Sequence, residues 1–403
     1  MSRIVLVGAF DTKAEPFEIL VDALATLGAS TTTIDTGVFG GKRRCDYPAE
    51  DVAEAGGYSL EDLPPMGRAP AVSAMTRGAS RILRQLVADG RVGALVCMGG
   101  SNAAAVFSHL APVIPIGIPK VLMATSVAGE TRALVQGSDV TMLYPILDIE
   151  GNNSILRGMI TRLAHVAAAL VKAGRLQQAG NPENSVALTM YGVTNTCVTH
   201  CRSLLDQQGF ESLVFHANGT GGRSFESFIT QSLVSAAIDL TISEVTDELF
   251  GGLWPAGADR MTAASVSGTP QAVAPGATDM ICLGPLVDLP ESFSNRTVQV
   301  HNDLVTLVRT TPEENHRLGR IVAGRLGSPA APTSVLVPMK GVSELDIEGG
   351  VFHDPESVEA FAQGVQSGLS PDSTVSLARL DHHINDREFA EALVEAALLP
   401  SDR

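Results

Sequence analysis

Cysteine is scarce and unpaired in this chain of 403 residues: Cys45, Cys97, Cys197, Cys201 and Cys282 form an odd, scattered set with no CxxC spacing. That excludes a disulfide framework and a zinc knuckle, and it points to reduced, mostly buried thiols. Cys197 and Cys201 flank His200, and a Cys at a helix N-terminus can be activated; buried structural thiols are far commoner, so no thiol mechanism is assigned. Basic residues are also few, 28 Lys and Arg against 44 Asp and Glu, for a net charge of −16. A wide phosphate footprint needs clustered Lys and Arg, so a nucleic-acid surface is not expected. A small anionic ligand still is, because a few amides and one Lys can hold it. No run reaches the ~18 to 20 consecutive apolar residues of a membrane helix, and the first residues read as a strand rather than a signal peptide. The expectation is a cytoplasmic protein without membrane contact. Aromatic residues are only 4%, with Trp254 the single tryptophan, against 39 glycines. Small residues let helices sit close to a sheet, which favours a polar, backbone-lined pocket over a large hydrophobic one.

What the chain does have is a recurring design. Seven apolar runs, beginning near Ile4, Ala94, Lys120, Val186, Ser212, Ser334 and Thr374, each end in a loop of Gly, Ser, Thr, Asn, Asp or Lys, usually with a helix-like stretch behind it. Continuous aliphatic runs are the mark of strands buried on both faces. The fold class expected is therefore α/β, with two Rossmann-like, doubly wound subdomains and mostly parallel sheets. The chain is too long for one ordinary core. The polar stretch from Gly174 to Ser185 places a boundary that gives domains 1–180 and 181–403, with a ligand cleft between them. Helices are expected over Pro16 to Leu27, Met75 to Asp89 and Ser154 to Ala173, with a loop-rich insert from Gly37 to Gly67 that carries the basic patch Lys42-Arg43-Arg44.

Ligands of such sheets bind beyond the carboxyl ends of the strands, so the candidate residues lie there. In the first loop they are Gly8, Asp11, Thr12 and Lys13, which lack Walker A spacing but could meet an anion at a helix start. Gly99, Gly100, Ser101 and Asn102 expose successive amides after a buried run. Thr125 adds a hydroxyl beyond the neighbouring strand, and Asp148 and Glu150 could hold Mg²⁺ through water or cap a helix. The densest signal is Gly219-Thr220-Gly221-Gly222-Arg223, a plausible phosphate or carboxylate cradle with His216 at the strand tip. Glu244, Asp247 and Glu248 share a helical face and read foremost as a solvated acidic first turn. Lys340, Ser343 and Asp346 follow one late strand; Asp381, His382 and His383 follow another. His216, Asp381 and His383 could serve a base or a metal if they converge, and His383 is the preferred base.

The stretches GAFDTK, IDTGV, GGSNAAA, PIGIPKVLMAT, LTMYGV, VFHANGTGGRSFE, TDELFGG, VRTTPEENHRLG, MKGVSELD and LDHHIND span residues 4 to 390 and are too idiosyncratic for generic turns. In them the chain resembles the tobamovirus-resistance-protein-like ATP-binding domain family, which has many bacterial members. The resemblance implies two Rossmann-like subdomains, binding of ATP with Mg²⁺, and a homodimer or higher homo-oligomer. Ala9, Ala14, Asn102 and Ala103 depart from that family's glycine- and threonine-rich loop pattern. Two functions from different classes follow: a nucleotide-binding protein using the Gly-rich loops, or a metabolic lyase or hydrolase in which His216, Glu244, Lys340, Asp381 and His383 act on a small carboxylated or phosphorylated substrate, with or without a metal.

Overall fold

Side chains alternate across the first strand: Ile4 and Leu6 join one core cluster, Val5 and Val7 another, and all four are buried. A strand covered by helices on both faces reads as a nearly continuous apolar run. In the computed structural model, which describes residues 3–40, 44–129, 131–135, 137–174 and 181–398, this pattern organises two units, Met1–Ala179 and Gly180–Arg403. Lys42 and Arg43 of the basic patch and most of the polar stretch after Gly174 lie outside the described residues.

The first unit runs β1 (Arg3–Gly8), α1 (Phe10–Thr26), β2 (Thr31–Asp35), α2 (Ala49–Gly56), α3 (Arg68–Ala88), β3 (Val92–Gly99), α4 (Ser101–Leu110), β4 (Lys120–Ala124), α5 (Arg132–Val135), β5 (Val140–Leu143) and α6 (Ser154–Ala173). Its five strands are all parallel, in the order β2-β1-β3-β4-β5. Phe17, Leu20 and Leu24 of α1 pack with Leu156, Ile160 and Leu163 of α6 on one face. Residues of α2, α3 and α4, among them Val52, Met75, Leu83 and Phe107, cover the other. By length and composition α6 could cross a bilayer, yet it lays this apolar stripe on the sheet as a core helix does.

Two elements start earlier than expected, and the reason is proline. Helix α1 begins at Phe10 and is interrupted at Lys13 (φ −124°, ψ 27°), just ahead of Pro16. Pro16 gives no N–H to the turn before it and crowds the carbonyl four residues back. Helix α3 begins at Arg68 with Pro70 in its first turn, where a missing N–H costs nothing. The insert between Gly37 and Gly67 is not wholly loop, since it holds α2 and two short turns of 3-10 helix.

The second unit runs β6 (Ser185–Met190), α7 (Asn195–Gln207), β7 (Glu211–His216), α8 (Thr220–Thr230), β8 (Ala236–Thr241), α9 (Ser243–Phe250), α10 (Ala263–Ser267), β9 (Gln271–Gly276), β10 (Met280–Leu283), β11 (Val298–Asn302), β12 (Val305–Arg309), α11 (Pro312–Leu326), β13 (Thr333–Pro338), α12 (Pro355–Gly368), β14 (Ser376–Leu380) and α13 (Arg387–Leu398). Six parallel strands form its sheet, in the order β14-β13-β9-β8-β6-β7. Both units are thus α/β layers with parallel sheets flanked by helices, the architecture expected. A small antiparallel sheet, β10-β12-β11, interrupts the second between β9 and β13. None of its strands, of four or five residues, is followed by both the Gly-rich loop and the helix that mark the parallel strands.

One buried cation organises the second unit. Arg260 is 1% exposed. It grips Asp239 of β8 with two bonds (2.6 and 2.7 Å), Glu244 of α9 at 2.9 Å and Glu226 of α8 at 3.0 Å. Burial opposes its charge, but Asp239, Glu244 and Glu226 together hold the guanidinium above its ordinary pKa. Removing Arg260 would strand buried carboxylates without a partner, a loss of roughly 3–5 kcal/mol. Arg260→Leu should therefore lower the urea midpoint sharply, followed by fluorescence of Trp254, which reports on this unit; an unchanged midpoint would show that the network carries no net stability.

Candidate functional site

Between β1 and β3 the chain order of the first sheet reverses: β2 lies on one side of β1 and the later strands on the other. Loops leaving the two strands diverge there and leave a crevice, the place where open α/β sheets bind ligands. A cavity of about 550 Å³ fills it, within the range of small-molecule sites. Its walls bring together the two loops singled out in the sequence, Gly8, Asp11, Thr12 and Lys13 after β1 and Gly99, Gly100, Ser101 and Asn102 after β3. Asp148 also lines it. Thr125 is half-buried at the turn after β4; it flanks the second loop, 4.0 Å from where a Cβ on Gly100 would lie, without lining the cavity.

The electrostatics of this crevice come from two helix starts. Helix α4 has Gly100 at its N-cap, no side-chain cap and no acid in its first turn. Its first backbone bond runs from Ala104 N to Gly100 O, 3.2 Å, so the amides of Ser101, Asn102 and Ala103 belong to the unsatisfied first turn. Positive side chains add to the helix's positive end: Lys13 and Arg68 both line the cavity. With its amide oxygen turned toward Arg68, Asn102 accepts from Nε and Nη2 at 3.2 Å each. Around α1 the balance differs. Asp35, buried at the end of β2, accepts from Phe10 N (2.9 Å) and Gly37 N (2.8 Å). Burial holds its pKa up, against those two amides.

Carboxylates stand beside these donors. Asp11 Oδ2 accepts from Phe39 N at 3.1 Å, while its Oδ1 is buried without a hydrogen-bond partner. Among the described residues no three His, Cys, Asp or Glu groups gather to cage a metal. Mg²⁺ needs no such cage, since it is usually held by one or two carboxylates, waters and the ligand's own phosphates. Asp11 and Asp148 fit that role. Sequence reading missed Arg68 and Asp35 as site residues: Arg68 follows a Pro- and Gly-rich stretch that reads as loop, and Asp35, within the IDTGV stretch, reads as the end of a strand.

The Gly-rich loop of the second unit is tied up by the protein itself. Gly219 N (2.5 Å) and Gly222 N (3.0 Å) both donate to Glu244 Oε1, and Gly221 N donates to Asn218 Oδ1 at 3.1 Å. A Cβ on Gly222 would strike the Glu244 carboxylate, and one on Gly221 the His216 carbonyl. An internal carboxylate thus occupies the place that the phosphate-cradle reading gave to a ligand. Thr220 opens α8, and Arg223 lies exposed on it. Glu244 and Asp247 are not a solvated first turn either: both are buried, Glu244 on Arg260 and Asp247 on the amides of Cys282 (2.8 Å) and Trp254 (3.1 Å).

The remaining candidates do not form one constellation. His216 is exposed at the end of β7, edge-on to the Tyr191 ring at 5.4 Å. His383 follows β14, is 7% exposed and bonds through Nε2 to Ser343 O at 2.9 Å. Strands β7 and β14 are the opposite edges of the sheet, so roughly 24 Å of strands separates the two imidazoles' anchor points. They cannot share an ion. Lys340 and Asp381 make an exposed ion pair of 3.0 Å beside the β13 and β14 ends. Burial pushes up the pKa of Cys97 and Cys282, and Cys197 is raised by its bond to Cys201 and by burial, which leaves these thiols inert.

Comparison with known proteins gives the chain a family. The N-terminal domain of the uncharacterised protein family (UPF0261) matches residues 2–175, and its C-terminal domain matches residues 183–399. Relatives include a UPF0261 protein of Clostridium tetani, 36% identical over 395 residues (98% of this chain, 97% of that one), and one of Mesorhizobium japonicum, 35% identical over 395 residues (98% of each). The ToMV resistance protein Tm-1(GCR237) of Solanum lycopersicum is 32% identical over 336 residues, 82% of this chain and 44% of the tomato protein. The chain belongs to the UPF0261 family.

A second buried cluster, beyond β9 and β13, has a measurable signature. Asp279 takes a 2.6 Å bond from Ser343 Oγ on Oδ2 and has no partner on Oδ1. Burial, and then the nearby Asp346 charge, push its pKa up to about 7 against the pull of Arg309; burial also raises Asp346. A carboxyl whose folded pKa exceeds its unfolded value, 3.8 for Asp279, holds its proton longer when folded. The contribution of Asp279 to stability is then fully present at low pH, declines as pH rises from about 4 toward 7, and levels off above. Asp279→Asn should flatten that decline in urea midpoints measured from pH 4.5 to 8; an unaltered slope would mean that Asp279 ionises normally.

Proposed function

We propose that this protein binds a phosphorylated small molecule, ATP with Mg²⁺, in the crevice between β1 and β3 of its first unit. One observation carries the reading: at the sheet's topological switch an uncapped helix N-terminus, with no acid in its first turn, faces a cavity that Lys13 and Arg68 also line. Positive groups gathered in this way favour an anion beside them. In this reading the amides of Ser101, Asn102 and Ala103 take one phosphate group, Lys13 and Arg68 neutralise its neighbours, and Asp11 with Asp148 holds the Mg²⁺ that the phosphates bring. The UPF0261 relatives matched along the whole chain carry no named activity, so the argument rests on the cavity. The lyase or hydrolase alternative gains no support from the second unit, where Glu244 is a structural ligand of Arg260 and His216 lies an entire sheet away from His383.

The decisive variant is Gly100→Val. A Cβ there meets nothing nearer than Thr125 Oγ1 at 4.0 Å and needs no unusual backbone, so the fold should tolerate it while the side chain intrudes on the helix start. Isothermal titration of Mg-ATP should show affinity at least about tenfold weaker than wild type, near 1.4 kcal/mol, and Lys13→Ala should weaken it similarly. ATP affinity that survives both changes would refute this site.

A further inference from the structure

The cavity beside β1 and β3 continues past Arg68. Arg68, Val72 and Asn102 also line a second hollow of about 670 Å³ between α3 and α4. Helix α3 starts at Arg68 and α4 at Ser101, both on the wall of the first cavity. The hollow therefore leads from the two helix N-termini along their lengths. Arg77, Arg81 and Arg84 follow one another on α3 at i, i+4 and i+7, which puts them on one face, and His109 lines the hollow from α4.

This face is unusual for the chain that bears it. Like charges at helical spacing weaken a helix, α3 has no acidic residue to relieve them, and the whole protein carries a net charge of −16. The arginines are also held in place. The Arg77 guanidinium lies over the Tyr58 ring at 5.5 Å and donates to Ser73 Oγ at 3.1 Å, and Arg81 Nη1 donates to Ala55 O at 2.5 Å. Helix α2 reaches them because it crosses α3 closely: a Cβ on Gly78 would collide with the Val52 carbonyl. These contacts use only part of each five-donor fork. Arg84 has no hydrogen-bond or ion-pair partner among the described residues. Planar forks of this kind recognise phosphate oxygens in pairs.

Building on the nucleotide-binding reading, we propose that the ligand is longer than a mononucleotide. Its phosphate chain passes the start of α4 and continues into the arginine groove, as in a dinucleoside polyphosphate. One nucleoside occupies the first cavity, the phosphates bridge Ser101 and Arg68, and the distal phosphates and second nucleoside lie between α3 and α4 along Arg81 and Arg84.

Titration calorimetry on the full chain, with Mg²⁺ and either ATP or diadenosine tetraphosphate as the probe, tests this. Wild type should bind the tetraphosphate roughly tenfold or more tightly than ATP, the gain expected from charge-assisted bonds to one or two arginines. The double variant Arg81→Ala/Arg84→Ala should lose that preference and keep its ATP affinity; both sites are exposed helix positions where Ala is well tolerated, and a melting curve checks the fold. Equal affinity of wild type for the two probes, with ATP bound, overturns the extension and leaves the nucleotide reading standing. Binding of neither probe overturns both. Self-association in sedimentation that the double variant abolishes, with no preference between the probes, would assign the groove to a second copy of the chain and overturn the proposal.

Discussion

Everything in this protein follows from burying parallel sheets on both faces. Once helices cover Ile4 and Leu6 on one side and Val5 and Val7 on the other, a polar side chain along a strand needs a buried partner, as Asp239 has in Arg260. Polar groups must collect where strands end and helices begin. There the helix dipoles and free first-turn amides create positive ends that water can solvate and that an anion stabilises. In the second unit one of the chain's own carboxylates, Glu244, takes that place.

Both units use one strand order. Taken by chain position, the strands of the first sheet run second, first, third, fourth, fifth, and those of the second follow the same order with a sixth added. Each places a Gly-rich loop and a helix start after early strands. In the second unit Glu244 reaches into the loop before α8 and takes the amides of Gly219 and Gly222, and Arg260 balances its charge from behind. That loop is a structural joint. In the first unit α4 has no such internal carboxylate and keeps its first-turn amides facing a cavity. The two Gly-rich loops thus differ in whether an internal carboxylate holds their amides.

This difference explains what was legible in the sequence. The strand-loop-helix rhythm and the loops at Gly8 and Gly99 were readable, because a buried apolar run followed by glycine is a local signal. Glu244 was not: it looks like a solvated first-turn acid, and its partner Arg260 lies 16 residues further on in a stretch that reads as loop. The glycines at 219, 221 and 222 read as a ligand cradle, since composition cannot tell an internal anion from an external one. Arg68 was invisible for another reason. Its place beside the cavity depends on α3 starting ahead of Pro70 and on its contact with Asn102, and neither is a property of neighbouring residues.

Glycine itself divides along the same line. At Gly221 and Gly222 a side chain would meet protein atoms, His216 and Glu244, so these glycines are required by packing whatever the protein binds. At Gly100 a side chain would meet almost nothing, and its backbone, φ −90° and ψ −152°, is one that any residue adopts. Folding alone does not explain a glycine there. The volume in front of it, bounded by Lys13, Arg68 and the first-turn amides of α4, is open at that backbone, which is the space the proposed ligand would use.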